Sequence, residues 1–140
     1  MTTIACDGSI MAGDGQVTGG GLVHGLNFVK VHHLDDGRVV GWAGTPFQKK
    51  PLLDFLNGVT SEMTMGDDFE ALILHPDGKC YCMDGSGNTY DQPTPAAVGS
   101  GAPVALAVMS TGLDAIEAVS IARTLDTLTG GEIVALSPLV

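Results

Sequence analysis

Basic residues are scarce in this chain. Six Lys and Arg stand against 16 Asp and Glu, a formal net charge of −10. A surface of that sign repels phosphate backbones, which excludes nucleic acid as a partner. Aromatic residues are few as well, with one Trp, two Tyr and four Phe in 140 residues. The core must therefore be built largely from small aliphatic side chains. No apolar run approaches the roughly 20 residues that span a bilayer, so no membrane partner is expected. The N-terminal residues lack the basic patch and apolar stretch of a secretory signal. Three cysteines cannot pair completely, which suits a reducing, cytoplasmic compartment. Cys6, Cys80, Cys82 and the four histidines match no zinc spacing, so no metal is expected. Gly19-Gly20-Gly21 is not a phosphate loop, because no Gly-Lys-Ser/Thr follows it.

What is present suits one globular unit. Hydrophobic residues make up 44% of a 14.3 kDa chain, enough for one core and a single domain over residues 1–140. Twenty glycines predict many tight turns. Residues 2–6 and 9–12 read as a hairpin around Asp7-Gly8, and residues 27–34 and 38–43 as a second one around Asp35-Asp36-Gly37. The Gly-rich stretch over 13–21 reads as loop. Thr45-Pro46 starts a short helix whose apolar face is Leu52, Leu53, Phe55 and Leu56, with Pro51 either starting or kinking it. Residues 59–68 are polar loop. Strands follow at 69–75 and 79–83, a turn-rich stretch at 84–95 and a brief strand at 96–98. Residues 103–110 and 113–128 are helical, the second with Thr111 as a candidate N-cap, and 132–136 is a last strand. The longer helix lacks one clean apolar stripe, which predicts cover from its own sheet and from a neighbouring subunit. Strands, helix, strands, two helices and a strand do not alternate as a parallel βαβ sheet does. The order predicts an α+β fold with two antiparallel sheets flanked by helices.

The sharpest chemical feature is Met1-Thr2-Thr3. A small second residue permits removal of Met1, which would leave Thr2 as the N-terminus. A terminal Thr carries a hydroxyl and a free α-amine, and the amine can act as base for its own hydroxyl. Residues 2–18 read TTIACDGSIMAGDGQVT and residues 26–34 read LNFVKVHHL. Residues 40–44 then read VGWAG, and 97–101 read AVGSG. In order and spacing these segments resemble HslV, proteasome β subunits and the wider N-terminal nucleophile hydrolases.

The resemblance implies a four-layer αββα sandwich and threonine-dependent hydrolysis of peptide bonds. Thr2 is implied as nucleophile, Lys30 as the lysine beside it, and Asp14 as the carboxylate holding that lysine. Gly44 aligns with the glycine whose N–H binds the oxyanion. Ser100 resembles the serine near the terminal amine. Asp126 and Thr129, in Asp126-Thr127-Leu128-Thr129-Gly130-Gly131, resemble supporting residues of the site. Val17, Phe28, His32, Trp42 and Pro46 align with the first specificity pocket, and Thr18 with a residue whose backbone pairs with extended substrate. No cofactor is implied, though a monovalent cation such as Na+ can sit near the start of the last strand. The implied partners are a peptide or unfolded-protein substrate, further copies of the chain in a homo-oligomeric ring, and an HslU-like AAA+ unfoldase.

Locally, plainer readings stay open. Asp14 can be a turn residue, Lys30 can snorkel to the surface, Ser100 can cap the following helix, and Phe28 and Trp42 can be ordinary core. The segment between Gly44 and Phe69 is much shorter than in the familiar bacterial enzyme, so one of two long helices is missing and docking of an unfoldase is in doubt. Two other classes compete with the peptidase: an amidohydrolase of the same fold, and a silent assembly protein that retains it.

Overall fold

The computed structural model describes residues 2–139. The expected removal of Met1 lies outside those residues. Two antiparallel sheets face each other. The first has the order β10-β1-β2-β11, built from Ala96–Val98, Ile4–Cys6, Met11–Gly13 and Val134–Leu136. The second has the order β5-β6-β7-β8-β9, from Val31–His33, Val39–Ala43, Glu70–Leu74, Cys80–Met83 and Thr89–Asp91. A separate hairpin joins β3 (Val17–Gly19) to β4 (Leu22–Gly25).

Period-2 alternation explains how short strands serve two layers. Ile4, Cys6 and Met11 of the first sheet meet Val31, Val39, Leu72, Leu74, Cys80 and Cys82 of the second. All three cysteines are thus buried between the sheets, and none is in a disulfide. On the other face of the first sheet, Ala5 and Ala12 pack against α2 (Ala102–Met109) and α3 (Ala115–Leu125) through Ala105, Ala118 and Val119. Small side chains on both sides let these helices lie close. On the other face of the second sheet, Val40, Trp42, Ala71 and Ile73 meet Leu52 of α1 (Lys49–Leu56), with Met63 and Phe69. That cover is thin, since 57–69 adds no helix.

Several expectations need correction. The loop expected over 13–21 contains β3, and β4 follows a two-residue Gly20-Gly21 turn. Both glycines have positive φ, 58° and 77°, as a tight hairpin requires. The turn-rich 84–95 contains edge strand β9, whose residues are all exposed and so carry no apolar alternation. A short 3-10 turn at Pro46–Gln48 precedes α1, placing Pro51 in the first turn of the helix, where its missing N–H is harmless. Asp114, not Thr111, caps α3: its carboxylate accepts from Glu117 N–H at 2.9 Å. Thr111 instead donates to the Val108 carbonyl at 2.7 Å. Gly101, not Ser100, occupies the N-cap position of α2. Ile116, Ile121 and Leu125 of α3 remain exposed.

Candidate active site

The β1–β2 pairing brings the two ends of the first hairpin together. The ladder runs on past Ile4 and Gly13, so that Asp14 N–H donates to the Thr3 carbonyl at 3.3 Å. Thr2 therefore lies beside Asp14. Lys30, just before β5, reaches across from the second sheet. Its ammonium donates to the Thr2 hydroxyl, to Asp14 Oδ1 at 2.9 Å and to the Gln16 carbonyl at 2.7 Å. Three protons meet three acceptors. The Thr2 hydroxyl in turn donates to Asp14 Oδ1.

Asp14 is held from every side. Oδ1 also accepts the Thr3 N–H at 3.1 Å, while Oδ2 accepts Gln16 N–H at 3.3 Å and Gly130 N–H at 3.1 Å. The side chains of Lys30 and Asp14 are 7% and 0% exposed. Burial holds Lys30 below the ordinary lysine value, and the Asp14 charge and hydrogen bond pull it partly back. Lys30 is thus neither on the surface nor snorkelling.

A second network fixes the backbone of Thr2. Its carbonyl accepts Gly101 N–H at 3.2 Å and lies 3.3 Å from Ser100 Oγ. Ser100 Oγ donates to Asp126 Oδ2 at 2.6 Å, as Thr129 Oγ1 does at 2.5 Å. With its proton committed there, Thr129 Oγ1 accepts from Thr3 Oγ1 at 2.7 Å. Burial alone would raise Asp126, but the Ser100 and Thr129 hydroxyls and the Leu128 N–H hold its carboxyl below the usual value.

Beside Lys30 lies a cleft of about 160 Å³. Val17, Thr18, Phe28, Trp42, Gly44 and Pro46 all line it, together with Gln16, Lys30 and Thr45. It therefore opens onto the ammonium that touches Thr2. Trp42 is fixed by its indole N–H, which donates to the Thr45 carbonyl at 3.1 Å, and by edge-on contact with Phe28 at 6.0 Å. His32 does not line the cleft. It stacks on Trp42 with centroids 6.0 Å apart, while its Nε2 contacts the Val29 carbonyl at 3.1 Å. Burial and then the Lys49 charge lower its pKa, against that hydrogen bond.

Reasoning from sequence missed Thr3, Gln16 and Thr45. Gln16 lines the cleft, holds Lys30 through its carbonyl and donates its side-chain amide to the Thr127 carbonyl at 3.2 Å. Its place directly after Gly13-Asp14-Gly15 was the available signal. Among the described residues no group of three or more His, Cys, Asp or Glu could hold a metal ion.

The chain has an HslV-like fold. Its structure is similar to Thiobacillus denitrificans BPH in complex with epoxomicin, with a TM-score of 0.72 and 18% identity over 96% of each chain. Thiobacillus denitrificans BPH in a second structure gives the same TM-score and identity over 96% of this chain and 95% of that one. The eukaryotic HslV from Trypanosoma brucei gives a TM-score of 0.65 and 20% identity, covering 97% of this chain and 98% of that one. No protein-family model matches the sequence, and no curated protein matches it.

Proposed function

We propose that this chain is a threonine endopeptidase of proteasome-like type, its sheets and helices forming the four-layer αββα sandwich of the N-terminal nucleophile hydrolases. One observation carries the reading. The Thr2 hydroxyl sits between the Lys30 ammonium and the Asp14 carboxylate, and the same Lys30 lines a cleft together with Gly44 and apolar side chains.

The chemistry follows from that arrangement. Removal of Met1 frees the Thr2 α-amine, which takes the hydroxyl proton as Oγ attacks the substrate carbonyl. The Lys30 ammonium stabilises the developing alkoxide and keeps the nearby amine neutral. Gly44 N–H receives the oxyanion, a contribution on the order of 10²–10³ in rate for such a donor. The carbon–nitrogen bond breaks, the amine product leaves with the proton, and an ester on Thr2 remains. Water then hydrolyses the ester and restores the hydroxyl. Asp14 carries no proton in this scheme. It positions Lys30 and offsets the cost of burying its charge.

The substrate is a peptide or unfolded protein. Exposed Leu106, Leu113, Ile116, Ile121 and Leu125 on and around α2 and α3 support a homo-oligomeric ring. The short outer layer around α1 argues against docking of an HslU-like unfoldase. A cytoplasmic location fits a chain in which no described helix is long and apolar enough to cross a membrane. A monovalent cation such as Na+ near the start of the last strand would be held by backbone carbonyls; Thr127, Gly130 and Gly131 each accept one hydrogen bond, from the Gln16 amide, Gly15 N–H and the Arg123 guanidinium, and keep a second lone pair. No step passes through a cation there.

The test is hydrolysis of short fluorogenic peptides by the wild type and by Thr2→Ala and Lys30→Ala. Turnover that both substitutions abolish is expected. Full activity in either variant refutes the mechanism. Turnover of small amides with none of peptides would point to the amidohydrolase, and silence on both to an assembly protein.

A further inference from the structure

We propose that the cleft beside Lys30 takes an acidic substrate side chain, and that Lys49 is the residue that selects it. The inference rests on the peptidase reading and names its substrate class.

The cleft offers an apolar stem a place to lie. Val17, Phe28, Trp42 and Pro46 form its walls, and its 160 Å³ equals roughly ten water-sized volumes, ample for one side chain. Lys30 cannot bind the tip of that side chain, because its three protons already go to Thr2, Asp14 and Gln16.

A second ammonium stands close by. Lys49 opens α1, is half-buried, and holds its Nζ 5.8 Å from the centroid of the Phe28 ring that lines the cleft. The aromatic face steadies the cation there without neutralising it. Its field also reaches His32, which stacks on Trp42, and is one of the causes that lower the pKa of that imidazole. Three other basic side chains are matched with carboxylates: Lys30 with Asp14, Arg38 with Asp36, and Lys50 with Asp54. Among the described residues Lys49 has no carboxylate within ion-pair distance. Lys79 and Arg123 also lack a carboxylate but are exposed, whereas Lys49 is half-buried and stands over a ring that lines the cleft. A glutamate side chain lying along Phe28 would supply the missing counter-charge. A basic side chain would meet repulsion.

The experiment uses four fluorogenic peptides identical except for Glu, Gln, Leu or Arg before the scissile bond. Glu and Gln match in shape, so their ratio isolates charge. The wild type is expected to favour Glu over Gln by roughly tenfold in kcat/KM, about one charge-assisted hydrogen bond, with Arg slowest. Added salt should shrink the ratio. Lys49→Gln should bring the Glu/Gln ratio near one, and Lys49→Glu should invert the order of Glu and Arg. Lys50→Gln, which alters an exposed side chain paired with Asp54, should keep the wild-type order. Cleavage of all four peptides without charge order, or a Glu/Gln ratio unchanged in Lys49→Gln, overturns the inference and leaves the peptidase standing. Cleavage of none overturns both.

Discussion

Replacing Lys30 by Met tests whether one ion pair organises the site. Met keeps much of the apolar stem and removes three donated hydrogen bonds, to Thr2, Asp14 and Gln16. Asp14 would then remain as a carboxylate with no exposed side-chain surface and no cation. Breaking one side of a buried pair costs about 3–5 kcal/mol. Three backbone N–H groups and the Thr2 hydroxyl still bind Asp14, so the lower end, about 3 kcal/mol, is expected. In a domain of this size that lowers Tm by about 10 °C. Asp14→Asn should also destabilise, because it strands the ammonium. The double variant should recover part of the loss, since no charge is left buried alone. Urea unfolding of all four proteins gives the coupling energy, expected at about 1.5 kcal/mol or more. A loss below about 1 kcal/mol for Lys30→Met, or costs that simply add, would mean that the pair does not organise the site.

Other outcomes follow from the same geometry. Burial holds Lys30 below 10.5, so between its folded value and 10.5 the unfolded chain binds more protons than the folded one. Its contribution to stability therefore rises with pH across that window, while the catalytic ammonium is lost; the alkaline limb of kcat/KM should fall below pH 10.5, and a limb at or above it counts against Lys30. Gly44→Ala would put a Cβ 2.0 Å from Gln48 Oε1, which Thr45 N–H binds at 2.7 Å. A loss of about 1–3 kcal/mol is expected in thermal unfolding, together with loss of peptide turnover. Ser100→Ala removes one of the two hydroxyls that hold Asp126 down, so an NMR titration should show that carboxyl moving up. Thr2→Ala should leave the fold intact in circular dichroism while abolishing turnover.

Much of the architecture was legible because burial leaves a period. Ile4/Cys6 and Val39/Gly41/Ala43 alternate with residues of the opposite face, and both hairpins were readable from that pattern and from Asp-Gly turns. Strands β3, β4 and β9 were not, because exposed residues and glycines carry no such period. The site was legible only jointly. Lys30 alone looks like a snorkelling residue, and only the interval to Asp14 marks it as buried and paired. His32 was assigned to the cleft by alignment; it shares with Trp42 the sheet face away from Val31, but it stacks on the Trp42 ring and is not among the cleft's walls. Lys49 escaped notice because its role depends on where α1 starts and on how Phe28 folds back against it. Neither is written in local sequence.

Every step of the proposed mechanism needs Thr2 to be a free, terminal nucleophile. That requirement is tested most directly by intact-mass and peptide-mapping spectrometry of the protein after treatment with epoxomicin, the compound bound by the structurally similar BPH. An epoxyketone offers two electrophilic carbons, which the hydroxyl and amine of one terminal threonine can both engage. A chain lacking Met1 that gains one inhibitor mass, mapped to Thr2 and absent in Thr2→Ala, is expected. A chain that retains Met1 and takes no adduct, or one labelled equally in Thr2→Ala, would contradict the mechanism.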